Sequence, residues 1–196
     1  MAEHTVREMG SLHDNPSIID LRPEDERTVQ GVAEFMIEAF AHIPGCCMTL
    51  EDALGEVRNS FGAGRISRVA LDEQGRPVGW IGGIEQYHGH AYELHPLVVR
   101  PAAQRRGIGR ALVADLEGQA RRRGAVMVYL GTDDEFGGTT LYGVDLYPDV
   151  LSHARAIRNL GNHPYEFYQK CGYVIVGLLS DANGLGMPDI FMAKRL

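Results

Sequence analysis

Cysteine is scarce in this chain of 196 residues: there are three, and two of them are adjacent at Cys46 and Cys47. Neighbouring cysteines do not reach bridge geometry without strain, so no disulfide framework is on offer and the thiols are expected to be reduced. Long apolar runs are missing as well, which excludes a membrane-spanning helix, and the opening "MAEHTVREMGSLHDNPS" has no hydrophobic signal core. A cytoplasmic protein is expected. Internal repeats and low-complexity tracts are also absent, which excludes a repeat architecture.

Positive charge is in the minority, with 19 Lys and Arg against 26 Asp and Glu and a formal net charge of −7. The chain as a whole should repel nucleic acid and anionic membranes and attract cationic ligands. The imbalance is concentrated in one stretch. No Lys or Arg falls between Arg123 and Arg155, whereas Asp133, Asp134, Glu135, Asp145 and Asp149 all do. Such a stretch is either a solvated acidic loop or a wall that binds a cation. Apolar content of 44% is that of an ordinary globular protein, and the length suits one domain with a substantial core. That domain is expected over 17–196, after a loose polar extension covering 1–16.

Periodicity places the elements. "SIIDLR" reads as a strand, and Val29, Val32, Phe35, Met36 and Phe40 make one face of the following helix. "TLED" has the spacing of a capping box, with Thr49 reaching forward and Asp52 back, and opens a second short helix. "RISRVALD" and "PVGWIGGIEQYH" form a hairpin around "EQGR", and "YELHPLVV" is a fourth strand. Then come a glycine turn, a helix, and "AVMVYLGT", an apolar run expected of a buried parallel strand. Helices over "VLSHARAIRNL" and "NHPYEFYQKCG" and strands over "YVIVGLL" and "DIFMAKR" complete an α/β chain with a mixed sheet. The "RRR" at 121–123 ends its helix where positive charge complements the dipole, and reads as solvated.

Two features point to chemistry. "VVRPAAQRRGIGRALVADLE" runs from a strand into a helix whose stripe is Ile108, Leu112, Val113, Leu116 and Ala120. The helix start presents free N–H groups and a partial positive charge, Gly107 and Gly109 clear space for a ligand, and Arg105, Arg106 and Arg110 stand beside them. This is a seat for a polyanion such as a pyrophosphate. No GxxxxGK[ST] is present, and "GIGRAL" lacks the third glycine of a dinucleotide fingerprint. The competing reading is a soft turn before a solvated basic helix. The second feature is Pro96 in a strand that should be central, where proline cannot donate to the ladder. A bulge there would splay two strands and free backbone groups at Leu97 and Val99 for an extended ligand carrying amides. His88 and His90 share a strand face by alternation, but no third or fourth ligand accompanies them and a metal site is not expected.

"QRRGIGRAL" and "YEFYQKCGY" together resemble the pyrophosphate loop and the late helix and strand of the GCN5-related N-acetyltransferases. The likeness extends from about residue 17 to the C-terminus and is stronger after residue 78. "YELHPLVV", "YLGTDD", "GTTLYGVDLY", "NHPYEFY" and the closing "ANG…PDI.MAK" are similar to a branch of aminoglycoside 6'-N-acetyltransferases. "AFAHIPGCCMT" departs from that branch, which has a tryptophan and an acidic cluster in this region. The resemblance implies a mixed sheet splayed between the fourth and fifth strands with helices on both faces. It further implies acetyl-CoA as cosubstrate, a cationic amine as acceptor, and a homodimer.

By the same resemblance, Glu93 and His95 handle the amine and its proton, Leu97 offers its N–H to the thioester carbonyl, and Tyr168 faces the departing sulfur. Coenzyme contacts fall on Leu97, Val99, Arg105, Arg106, Gly107, Ile108, Gly109, Arg110, Asn162 and Tyr168, and acceptor contacts on Glu93, Asp133, Asp134 and Glu135. Alternation puts Glu93 and His95 on one strand face. They either act on one amine or satisfy each other. Tyr168 is either a proton donor or a core tyrosine. Acceptors other than an aminoglycoside (a polyamine, a peptide amine, a small metabolite) remain open, as does a non-catalytic coenzyme-binding module.

Overall fold

The computed structural model describes residues 16–41, 48–161 and 163–196. The expected extension over 1–16 lies outside the described residues except for Pro16, as do Cys46, Cys47 and Asn162. Seven strands form one mixed sheet: β1 (Ser17–Asp20), β2 (Arg65–Leu71), β3 (Pro77–Gln86), β4 (Ala91–Val99), β5 (Met127–Asp133), β6 (Val174–Leu179) and β7 (Asp189–Arg195), in the order β1-β2-β3-β4-β5-β7-β6. Every pairing is antiparallel except that of β4 with β5.

Helices cover both faces because the strands alternate. Trp80, Val69 and Val98 point to one face, where they pack with Val32, Phe35 and Met36 of α1 (Glu26–Phe40) and with Ala53 and Val57 of α2 (Leu50–Asn59). Ile66, Ile81, Tyr92, Leu94, Val128 and Leu130 point to the other, against Ile108, Leu112, Val113, Leu116 and Ala120 of α3 (Ile108–Arg122). The predicted stripe of α3 is thus its buried face. Tyr168 of α5 (Tyr165–Lys170) joins this second core. Arg68 locks the α3 face: it is buried on β2 and pairs with Asp115 of α3 at 2.6 Å and with Asp20 of β1.

Local signals are realised where the sequence placed them. Thr49 and Asp52 form the capping box of α2, with Asp52 N donating to Thr49 Oγ1 at 3.2 Å and Thr49 N donating to Asp52 Oδ2 at 2.9 Å. Two expectations need correction. The chain leaves β3 at Gln86 and turns through Tyr87–Gly89, so His88 and His90 do not share a strand face. The helix expected through Leu160 is α4 (Val150–Ala156); beyond it Arg158 N donates to Thr140 Oγ1 at 3.0 Å and Asn159 bridges to Thr139, which hold this segment extended. Arg121, Arg122 and Arg123 are exposed, as expected, and Arg123 also donates from Nη1 to the carbonyl of Arg65 at 2.7 Å. Among the described residues no helix is long and apolar enough to cross a membrane.

Candidate active site

The site begins where β4 and β5 separate. They pair over only three positions, Ala91 with Met127, Tyr92 with Val128 and Glu93 with Tyr129, and the rest of β4 has no partner on that side. The cause lies on the opposite edge, where the β3–β4 register slips between Ile81 (opposite Leu97) and Gly83 (opposite Leu94). Two residues, His95 and Pro96, therefore face the single Gly82. The bulge also switches the alternation: Tyr92 and Leu94 belong to the α3 side before it, and Leu97 and Val99 pack there after it. Pro96 is thus accommodated in a bulge of a central strand, and the strands splay beyond Glu93 as expected.

On the α3 side the opening meets the glycine turn. Gly107 caps α3 in the left-handed region at φ +87°, and a Cβ there would touch nothing within 4 Å. Ala111 N donates to Gly107 O, whereas no backbone bond of the turn or cap uses the N–H groups of Arg105 through Arg110. Those free donors, the helix dipole and the exposed side chains of Arg105, Arg106 and Arg110 compose an anion seat. Ile108 and Gly109 contribute backbone only. The Ile108 side chain is buried in the core, and Gly109 makes room for the Phe167 ring, which a Cβ would meet at 3.3 Å. Gln104 Nε2 donates to the Val99 carbonyl at 3.1 Å and closes the turn against the strand.

Tyr168 lies beside this seat, in edge contact with Phe167 and Tyr173 at centroid separations of 5.1 and 5.9 Å. Burial pushes its phenol pKa well up, so the hydroxyl keeps its proton at any physiological pH. The ring belongs to the core, and the hydroxyl stays protonated.

The other face of the sheet carries the carboxylates. Glu93 is half-buried and accepts from Gln86 Nε2 and Tyr129 Oη, each at 3.3 Å. His95 is on the same face but exposed, with Nε2 lying 3.5 Å from Glu56 Oε1 of α2. The two share a face as predicted, and each has its own partner rather than the other. Asp133 is exposed at the end of β5, where Asn183 Nδ2 donates to it, and Glu135 is half-buried. Asp134 is a correction. Only 1% exposed, it accepts from Gly138 N at 2.7 Å, Thr139 N at 2.8 Å and Thr139 Oγ1 at 2.7 Å, so it organises the loop and its burial closes it to a ligand. Among the described residues no group of three or more His, Cys, Asp or Glu is arranged to hold a metal ion.

Residues 29–138 match the model of the acetyltransferase (GNAT) family. The chain belongs to this family. Among solved structures, the GNAT chain is similar to an aminoglycoside 6'-N-acetyltransferase complexed with coenzyme A (38% identity over 91% of this chain and 96% of that one, TM-score 0.83). It is equally similar to an aminoglycoside 6'-N-acetyltransferase from Enterococcus faecium (38% identity, the same coverage, TM-score 0.82). A third, an aminoglycoside 6'-acetyltransferase type Ii, is 32% identical over the same shares with a TM-score of 0.69. No curated protein matches the chain at a significant level.

Two residues of this GNAT site escaped the sequence reading. Tyr129 hydrogen-bonds Glu93, and its pKa is pushed up to about 12 by burial and by the Glu93 charge. Asp189 opens β7 in register with Asp133 of β5. Burial, and then the neighbouring charge of Asp133, push its carboxyl up to about 6, while Thr132 N and Ile190 N pull the other way. The residue stood in plain view in "PDI", but its meaning depends on two strands distant in sequence.

Proposed function

We propose that this GNAT protein transfers the acetyl group of acetyl-CoA to a primary amine of a cationic acceptor, and that the acceptor amine is the 6'-amine of an aminoglycoside. One observation carries the reading: an opening between β4 and β5 has an anion seat on one face of the sheet and carboxylates on the other. A cosubstrate that is a polyanion at one end and a thioester at the other is matched by the first face, and a polycationic amine by the second. Similarity to aminoglycoside 6'-N-acetyltransferases over nine-tenths of the chain supports the choice of acceptor.

The coenzyme supplies an activated thioester. The free amides before α3, with Arg105, Arg106 and Arg110, would hold its diphosphate, and Leu97 and Val99 its extended arm. An amine of lysine-like pKa, about 10.4, must lose a proton before it attacks. Glu93 binds the ammonium and takes that proton, directly or through water, while His95 stands on the same face as an alternative acceptor. The Leu97 N–H stabilises the negative charge that develops on the carbonyl oxygen; as the C–S bond breaks, Tyr168 gives its proton to the departing sulfur and takes back, through water, the second proton that the acylated nitrogen sheds. Glu93, Asp133 and Glu135 steer the cation. A homodimer in the cytoplasm belongs to the same proposal.

Thiol release measured across kanamycin-type aminoglycosides, spermidine and peptide amines tests the reading. Fastest turnover on the aminoglycosides supports it. Preference for spermidine or a peptide replaces the acceptor but keeps the chemistry, and tight coenzyme binding without turnover of any amine turns the protein into a binding module.

A further inference from the structure

We propose that Lys194 and Glu117 are positioning residues for acetyl transfer: their ion pair fixes the end of α5, and with it the Tyr168 hydroxyl, against the helix whose first turn seats the coenzyme diphosphate. The inference rests on the acetyl-transfer reading above. It adds two residues that stand away from the opening, since Lys194 lies opposite Val128, where β4 and β5 are still paired.

Tyr168 is the third residue from the end of α5, and the chain leaves that helix through a Schellman motif. Gly172 takes the left-handed conformation at φ +93°, Gly172 N donates to Gln169 O at 2.9 Å, and Tyr173 N donates to Tyr168 O at 3.0 Å. The two tyrosines so joined meet edge to face at a centroid separation of 5.9 Å. The motif uses the carbonyls of Tyr168 and Gln169 and leaves that of Cys171 open. Lys194 closes it. Its Nζ donates to Cys171 O at 2.8 Å and to Glu117 Oε2 at 2.7 Å, and stands over the Tyr173 ring at 5.8 Å. One ammonium therefore joins β7, the end of α5 and the body of α3.

Stability alone does not account for this pair. Glu117 is 7% exposed, and its Oε1 is buried without a hydrogen-bond partner, as is the Tyr173 hydroxyl. Burial, and then the Glu117 charge, push the Tyr173 phenol well above its usual range. Two charges withdrawn from water with polar atoms left over gain little over an apolar pair of the same size. What they add is direction and length. Tyr168 and Phe167 otherwise meet the core through apolar contacts, which fill space without fixing a register. A hydroxyl that protonates a departing sulfur must lie within hydrogen-bond reach of it, and a misplacement of about 1 Å costs on the order of 100-fold in rate.

The test is a double-mutant cycle with Tyr168→Phe, read as the single-turnover rate of acetyl transfer to whichever amine, kanamycin, spermidine or peptide, wild type turns over fastest. Lys194→Met should slow transfer about tenfold or more, while the Kd of coenzyme A and the KM of the amine stay within about twofold. In the Tyr168→Phe background the same change should cost less than about twofold, because the hydroxyl it places is gone. Lys194→Arg, whose guanidinium can donate to both Glu117 and the Cys171 carbonyl, should keep the rate within about threefold of wild type. Glu117→Met combined with Lys194→Met leaves no buried charge, so this variant should melt near wild type and still lose about tenfold in rate; it carries the test if Lys194→Met does not fold. Losses of equal size with and without the Tyr168 hydroxyl, or a wild-type rate in the paired variant, overturn the inference. Wild type that turns over no amine overturns the acetyl-transfer reading along with it. Wild type that transfers the acetyl group, with Tyr168→Phe just as fast, overturns the inference and leaves acetyl transfer standing.

Discussion

The carbonyl oxygen of His95 stands too close to Gly82 for a Cβ to fit there. Gly82 thus admits the bulge that drives β4 away from β5, and the opening depends on a missing side chain one strand away from it. Because the obstacle is backbone, Gly82→Ala must either push the bulge out or fail to fit. We expect a stability loss of about 1–3 kcal/mol in denaturant unfolding, together with a rise in the coenzyme KM. An unchanged KM would detach the bulge from the coenzyme.

Gly107 and Gly109 are two residues apart and do different things. Gly107 has φ +87° and open space around it, so Gly107→Val adds bulk at the anion seat and strain of about 1–2 kcal/mol. Coenzyme binding should weaken about tenfold or more, the size of one lost charge-assisted hydrogen bond, while the acceptor KM stays put. Gly109→Ala should act on packing through Phe167, visible in the melting temperature before it is visible in binding.

Tyr168→Phe keeps the ring in the core and removes the proton. If the hydroxyl protonates the departing sulfur, kcat falls about 100-fold with both KM values nearly unchanged. Since burial holds the phenol far above its usual range, the wild-type profile should show no alkaline limb from this group. Steady-state thiol release between pH 6 and pH 9 decides it.

The elements were legible because their signals are local. The α3 stripe, the Thr49 and Asp52 box and the β2–β3 hairpin each involve residues within a few positions of one another. Half of the bulge was legible too, in Pro96, but Gly82 is one of many glycines until pairing sets it against His95. The acidic stretch shows the limit most clearly. Asp133 and Asp134 are adjacent, yet strand alternation turns one to solvent and the loop closes on the other. Asp189 was invisible as a site residue because its neighbours come from β4 and β5, dozens of positions upstream.

Asp133 and Asp134 should therefore fail in different assays. Asp134→Ala strands the N–H of Gly138, the N–H of Thr139 and the Thr139 hydroxyl in a buried loop, at a cost of about 1–3 kcal/mol or more in unfolding free energy. Asp133→Asn touches an exposed carboxylate and should raise the acceptor KM about two- to fivefold, with stability nearly unchanged. Reversed effects would return Asp134 to the acceptor site.

Asp189 makes stability depend on pH. Its carboxyl titrates at about 6 in the folded protein and near its ordinary 3.8 when unfolded, so between these values the native state binds more protons than the unfolded one. Stability must then fall as pH rises through that window, with the full cost present above about 6 and none below 3.8. Partial solvent screening brings the cost to about 1–2 kcal/mol. Asp189→Asn removes the charge, so the variant is expected to be more stable than wild type at pH 7.5 by that amount and to match it near pH 4. Urea unfolding at the two pH values checks the sign. A variant less stable at pH 7.5 would mean that the amides of Thr132 and Ile190 outweigh the cost of burying the carboxylate beside Asp133.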